Sequence, residues 1–357
     1  MSVVFPAAFS AFTPKSLRDA WHALTAGQSL RIRDAAHQLG VSEAQLLATG
    51  VGEHVTRLAG NLRDLMMRMG ELGPVMALTR NEAAVHEKEG VYQNITHGDQ
   101  IGLVLGEAID LRLLYDKWAF GYAVEERIGS DTRHSFQFFD ACGDAIHKIY
   151  LREGADTLAF EALRDAWAAP LQIPGETVLP RPAGGAPDRP DDTVDAEALR
   201  LDWRAMRDTH QFFGLLKKHK VGRTQAFRLA GEEFARPLFT DTPARLLQGA
   251  AAARLDIMIF VGNPGCIQIH TGTVERIERT GPWINVLDPG FNLHLREDRI
   301  ADAWVVRKPT RDGMVTSLEL FDAEGRTIAL FFGERKPGKA ELPAWRTLVE
   351  SLAGAAA

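Results

Sequence analysis

The chain has 357 residues, 45% of them hydrophobic, enough to bury a sizeable core and more than one core usually holds, so two domains are expected. Its 41 Lys and Arg against 47 Asp and Glu leave a net charge of −6, which excludes a general attraction for nucleic acid or an anionic membrane and makes any anion site a local one. Two cysteines, Cys142 and Cys266, with no CxxC pair exclude a disulfide scaffold and a cysteine zinc site, and fit a reducing compartment.

In chain order, the opening "MSVVFPAAFSAFTPK" is mildly apolar but has no basic stretch ahead of its apolar residues, and no apolar run of spanning length follows. A cytoplasmic protein without membrane insertion is expected. Spaced apolar residues in "LRDAWHAL" and "EAQLLATG" predict helices, after which the chain turns strand-rich. The stretch "LQIPGETVLPRPAGGAPDRPDDTVD" is dense in Pro, Gly and Asp and reads as a linker. Beyond it the order starts again, with a helix over "PARLLQGAAAARL" and then the short β-rich runs "DIMIFVGN", "CIQIHTGTVERI", "AWVVRKP", "TSLELFD" and "TIALFFG". Helices followed by strands in each half predict an α+β fold with antiparallel meanders.

The repetition is literal. "SFQFFDACGDAI" at 135 recurs as "SLELFDAEGRTI" at 317, an offset of 317 − 135 = 182, and the same offset pairs Met76 with Met258, Asn81 with Asn263, Leu111 with Leu293 and Trp21 with Trp203. The chain is a tandem duplication: a first repeat over 1–172, a linker over 173–193 and a second repeat over 194–357. Setting "RDAAHQL" at 33 against "RTQAFRL" at 223 lengthens the offset to 190, which places one extra helical segment, "DTHQFFGLLKKH", in the second repeat. In it Phe212, Leu215 and Leu216 form an apolar stripe continued by His219. At about 100° per residue, His210 falls on the opposite side with Phe213, Gly214 and Lys217. A duplicated scaffold with a histidine-bearing insert in one copy is what acquisition of a site by that copy would leave.

"WRAMRDTHQFFGLLKKHKVGRTQAF", "FVGNPGCIQIHTG", "WINVLDPGFNLHL", "AWVVRKPT" and "SLELFDAEG", with "LTRNEAAVHEKEG" and "IDLRLLYDKWA" in the first repeat, resemble the cytoplasmic hemin-degrading and hemin-trafficking proteins of bacterial haem-uptake systems. The resemblance covers nearly the whole chain except the linker. It implies two similar units, each a large antiparallel sheet with helices, and haem b (hemin) in a cleft between them with its iron on a histidine. His210 matches the axial histidine, as neutral imidazole suits haem iron. Arg223, Lys308 and Arg335 match basic positions near the haem, where they can pair with propionates, although any one Lys or Arg is ordinarily solvated surface. Lys308 and Arg335 are expected at strand ends, on a cleft rim. Met258 and Phe260 match apolar contacts to the macrocycle, or are ordinary core residues of a strand.

Arg112, whose repeat partner is His294, is implied on the distal side of the haem as the catalytic cation, to hold water or polarise an iron-bound ligand. Read from its neighbours alone, it is a strand residue paired with Asp110 or Asp116. Leu330 and Phe332 stand near positions that are polar or phenolic in some relatives, so hydrogen bonding at that haem edge differs. His219 faces away from His210 and is expected at the core edge or surface; His86, whose repeat partner is Gln268, is expected to be structural. The resemblance leaves an enzyme that opens the porphyrin with an electron donor and O₂ or peroxide, or a chaperone that takes haem from an inner-membrane importer and hands it to a separate haem oxygenase. A nucleic-acid binder built on "KKHKVGR" is disfavoured, since the run is short, lacks aromatics and sits in an acidic chain.

Overall fold

The structure is a computed structural model that describes residues 12–27, 30–98, 101–182, 188–335 and 338–353. The opening stretch through Ala11 and residues 183–187 of the expected linker lie outside the described residues. The chain divides into two compact units, one of Met1–Thr79, Lys88–Ala183 and Asn263–Ile267, the other of Arg80–Glu87, Gly184–Gly262 and Gln268–Ala357.

Each unit repeats one plan. The first has a five-stranded antiparallel sheet in the order Val55–Arg57, Phe120–Ile128, Asp131–Phe139, Ala145–Leu151, Val75–Arg80, and a three-stranded meander of Ile95–His97, Ile101–Leu105 and Asp110–Leu114. In the second the same orders run Ala235–Leu238, Asp302–Thr310, Gly313–Phe321, Thr327–Gly333, Ile257–Asn263, and Ile277–Thr280, Trp283–Asp288, Phe291–Arg296. The duplication extends to an irregularity: register shifts between Phe138 and Phe139 in one sheet and between Leu320 and Phe321 in the other, the same offset apart. The paired asparagines are explained as well. Asn81 accepts from the backbone N–H groups of Ala83 and Ala84 and donates to the Ile328 carbonyl, while Asn263 accepts from Gly265 and Cys266 and donates to Ile146, so each closes a strand turn with its amide. The α+β class and the tandem repeat therefore hold strand by strand.

The extra helical segment does not hold. Between its first helix and first strand the first unit carries Ile32–Leu39, Glu43–Leu47 and a 3₁₀ turn at Ala48–Gly50; the second unit carries Gln211–His219 and Arg223–Ala230 over a stretch of nearly equal length, 205–234 against 26–54. An apolar helical pattern superimposes on itself after whole turns, so the longer offset was a slip of about two turns. The Pro- and Gly-rich stretch is also tied down where it is described. Gln172 bonds the backbone N–H and carbonyl of Arg57 at 2.8 and 2.9 Å, Gly175 N–H reaches Ala48 O at 2.8 Å, and on the far side Gln225 bonds Arg189 O at 2.6 Å. Composition signals the absence of regular structure, not the absence of partners.

Period-two alternation places the site. In the second unit Ile257, Ile259, Val261 and Phe331 turn into a core covered by helices Thr242–Ala253 and Pro343–Ala353. On the opposite face Trp304, Val306 and Phe321 pack against Trp203, Phe212 and Phe227 from helices Ala196–Arg204, Gln211–His219 and Arg223–Ala230. Among the described residues no helix is long and apolar enough to cross a membrane.

Candidate functional site

His210 is the N-cap of helix Gln211–His219 and not part of its first turn. Side chains decide this: Gln211 Oε1 accepts the backbone N–H of Arg207 at 2.7 Å and of Asp208 at 3.2 Å, and Asp208 Oδ1 accepts that of His210 at 2.8 Å, so the chain stays in a turn until Gln211. The expected faces nevertheless hold. Phe212 and Leu215 are buried, whereas the His210 side chain is 95% exposed and Phe213 77% exposed, and a Cβ at Gly214 would meet nothing within 4 Å. An exposed phenyl ring next to an exposed imidazole over an open glycine is an apolar landing surface with one strong ligand atom. His210 Nδ1 lies 2.6 Å from Asp208 Oδ1, which leaves Nε2 outward. The His210 backbone N–H and ring, with the nearby Arg335 charge, hold the Asp208 carboxyl below the usual carboxylate range.

Against Phe212, on the buried face of the same helix, the cations form a cluster. Glu319, with no exposed side-chain surface, accepts from Arg223 Nε at 2.7 Å, Lys308 Nζ at 2.5 Å and Ser317 Oγ at 2.9 Å. Both cations also lie over the Phe212 ring, Lys308 Nζ at 4.7 Å and Arg223 Cζ at 5.0 Å from its centroid, which braces the start of the histidine-bearing helix. Burial would raise the Glu319 carboxyl, yet Arg223 and Lys308 outweigh it and hold it at about 2; burial in turn pushes the Lys308 ammonium down to about 8 against the pull of Glu319. Two cations share one carboxylate, so the cluster carries one surplus positive charge.

Beside this cluster lies an apolar strip. Met258 pairs with Phe332 and Phe260 with Leu330 across neighbouring strands; all four are half-buried on one face, and the Phe260 and Phe332 rings are 5.1 Å apart. Met258 and Phe260 are therefore not ordinary core residues of the strand, since their neighbours Ile257, Ile259 and Val261 fill the core instead. Lys308 is not at a strand end: it is inside Asp302–Thr310, 4% exposed and committed to Glu319. Arg223 keeps 27% of its side chain exposed, and Arg335 follows the strand Thr327–Gly333 half-buried, its Nε without a hydrogen-bond partner. Arg112, in the first unit, bonds Asp110 and the Leu111 carbonyl, the pairing its neighbours predict. His219 Nε2 meets Asp202 Oδ2 at 2.6 Å at the core edge, and His86 is fully buried with its ring 5.0 Å from Phe291.

Sequence reasoning missed Asp208 and Glu319. For Glu319 the signal was present: the repeats "SFQFFD" and "SLELFD" place Gln137 and Glu319 at one position, so a charge replaces an amide at a site both units bury. For Asp208 only its spacing from His210 could have served.

A duplicated α+β scaffold with an exposed imidazole beside an apolar surface, and a carboxylate-bridged cation pair packed under the same helix, suits a large, flat, anionic ligand. Residues 40–167 and 220–352 match the model of the haemin-degrading HemS.ChuX domain, so the chain belongs to that family. It is 42% identical over 321 residues to the hemin transport protein HmuS of Yersinia pestis, covering 90% of this chain and 92% of the relative, and 43% identical over the same shares to the hemin transport protein HemS of Yersinia enterocolitica. Among solved structures it superposes on holo-PhuS, a heme-binding protein from Pseudomonas aeruginosa, with TM-score 0.93 and 46% identity over 96% of this chain and 99% of that one. For the heme degrading enzyme ChuS of Escherichia coli O157:H7 the values are 0.86 and 37%, over 95% and 99%.

Proposed function

We propose that the chain binds haem b as cargo in the bacterial cytoplasm, receiving it from an inner-membrane importer, and that His210 Nε2 is the iron ligand. The observation that carries this is the exposed imidazole whose Nδ1 is engaged and whose Nε2 points out beside Phe213 and Gly214. The donor set fits: among the described residues no three His, Cys, Asp or Glu side chains converge on a bare metal ion, whereas haem brings four ligands of its own and needs one from the protein. Met258, Phe260 and Phe213 offer apolar area to the macrocycle. Of the three cations, Arg223 and Arg335 have surface with which to meet propionates, and Lys308 acts from behind through Glu319. Arg112 enters the proposal from the resemblance, as the cation that would act in turnover.

Bound haem supplies the redox-active iron and the macrocycle to be opened; the chain's part is to hold that ligand, orient it by one nitrogen and compensate its charge. Two activities fit. A haem-degrading enzyme requires an external electron donor with O₂ or peroxide, as the name of the ChuS relative would have it. A carrier that hands haem to a separate haem oxygenase is favoured by the near-complete exposure of His210, which lets a ligand leave without unfolding anything. One experiment tests both levels. Hemin is titrated into the full chain and into His210→Ala; loss or displacement of the Soret band in the variant is expected, and an unchanged band and affinity removes His210 as the ligand. The loaded chain then receives reductant and O₂ with and without catalase: open tetrapyrrole formed in the presence of catalase identifies an enzyme, and colour lost only without catalase identifies a carrier.

A further inference from the structure

We infer that Asp208 is a positioning residue that sets which nitrogen of His210 is offered to a ligand. The inference rests on the reading of His210 as a metal ligand for its purpose, but on local geometry for its content. Asp208 Oδ1 lies 2.8 Å from the His210 backbone N and 2.6 Å from its ring Nδ1, so one oxygen holds both ends of the residue. An ionised carboxylate only accepts hydrogen bonds, so Nδ1 carries the proton and Nε2 presents its lone pair. Free histidine in water favours the opposite arrangement, with the proton on Nε2, where it blocks that nitrogen. Asp208 thus inverts the default tautomer of an otherwise solvent-exposed ring.

The same contact restricts the ring's rotation. No hydrophobic packing can do so, because the side chain is 95% exposed, and the helix cannot, because His210 precedes its first turn. Without Asp208 the imidazole would sweep through its rotamers and offer either nitrogen. The orientation is therefore made by the loop itself: the turn that delays the helix start until Gln211 is the turn that brings Asp208 Oδ1 to the ring's Nδ1. Carboxylate support of a ligating histidine raises metal affinity by about 10- to 100-fold where it has been removed by substitution. An exposed pair such as this one belongs at the lower end.

The test separates the positioning from the haem reading. Asp208→Ala and Asp208→Asn are made in the full chain; the side chain is 59% exposed, so both fold. Long-range ¹⁵N–¹H correlation spectra of the ligand-free protein, with His210→Ala to assign the ring, report the tautomer. Wild type is expected to show Nδ1–H at His210, Asp208→Ala a majority of Nε2–H, and Asp208→Asn, whose Oδ1 can still accept the Nδ1 proton, a population between the two. Wild type with Nε2–H, or a tautomer indifferent to Asp208, overturns the inference whatever hemin does. Hemin dissociation is then followed by transfer to apomyoglobin: both variants keep the histidine-ligated spectrum, and Asp208→Ala releases hemin about 10-fold faster. If the tautomer inverts while His210→Ala leaves the hemin spectrum untouched, the positioning stands and the haem assignment of His210 falls.

Discussion

Glu319→Gln removes the one negative charge between two cations while keeping the shape of the side chain. The native carboxylate accepts three hydrogen bonds with no contact with water, so the substitution leaves Lys308, itself 4% exposed, beside Arg223 without a counter-charge. Breaking a buried ion pair by removing one partner costs about 3 to 5 kcal/mol. A relief route exists here. With its group already down at about 8, Lys308 can shed its proton near neutral pH at a small cost even in the native cluster, and more easily in the variant. The expected loss at pH 7 is therefore at the low end of that range, about 3 kcal/mol. The sign with pH follows. Native Lys308 binds its proton up to about pH 8, whereas the variant's loses it earlier, so between those points the native fold binds more protons and its advantage shrinks as pH rises. On the acid side the advantage vanishes as pH falls from the ordinary carboxylate range through about 2, where Glu319 protonates. Urea unfolding of both proteins at pH 6, 7 and 9 measures this. A difference under about 0.5 kcal/mol at pH 6, the size of an ordinary surface change, or one that grows with pH, refutes the buried cluster.

Phe213→Ala should leave the unfolding midpoint alone, because the ring is 77% exposed, yet weaken hemin binding by roughly 1.5 to 3 kcal/mol if the ring is covered by the ligand; equal hemin affinities would remove Phe213 from the binding surface. His147 is buried with Nδ1 2.8 Å from Thr79 Oγ1 and Nε2 2.5 Å from Tyr92 Oη, and burial pushes it down to about 3. It stays neutral in the fold while the unfolded chain takes a proton near pH 6.5, so stability falls between about pH 6.5 and 3, by up to about 5 kcal/mol; His147→Gln should flatten that slope in acid titrations of unfolding, and an identical slope would show the acid sensitivity to lie elsewhere. Arg112→Ala should keep the histidine-ligated hemin spectrum and slow any degradation, because it removes a cation and no iron ligand; degradation at the native rate would leave Arg112 to its ion pair with Asp110.

The duplication, the α+β class and the face on which His210 stands were all legible in the sequence. They depend on what is local or periodic: alternating apolar residues in "TIALFFG" choose a sheet face, and the spacing of Phe212 and Leu215 chooses a helix face, wherever the element is finally placed. What the sequence could not assign was the company each side chain keeps. Lys308 looked like a rim cation because charge in a short strand is ordinarily solvated; only the pairing of Asp302–Thr310 with Gly313–Phe321 sets it beside Glu319, and only helix Arg223–Ala230, packed across that face, adds the second cation from 96 residues away. The helix start is a smaller case of the same kind, since periodicity ran through His210 while the side chains of Asp208 and Gln211 captured the backbone N–H groups that would have extended the helix. A repeating pattern specifies direction, because every residue of an element obeys the same geometry. Partnership is a property of two elements at once, and strand register and helix docking, which bring distant residues within 3 Å, are settled by the packing of the whole unit.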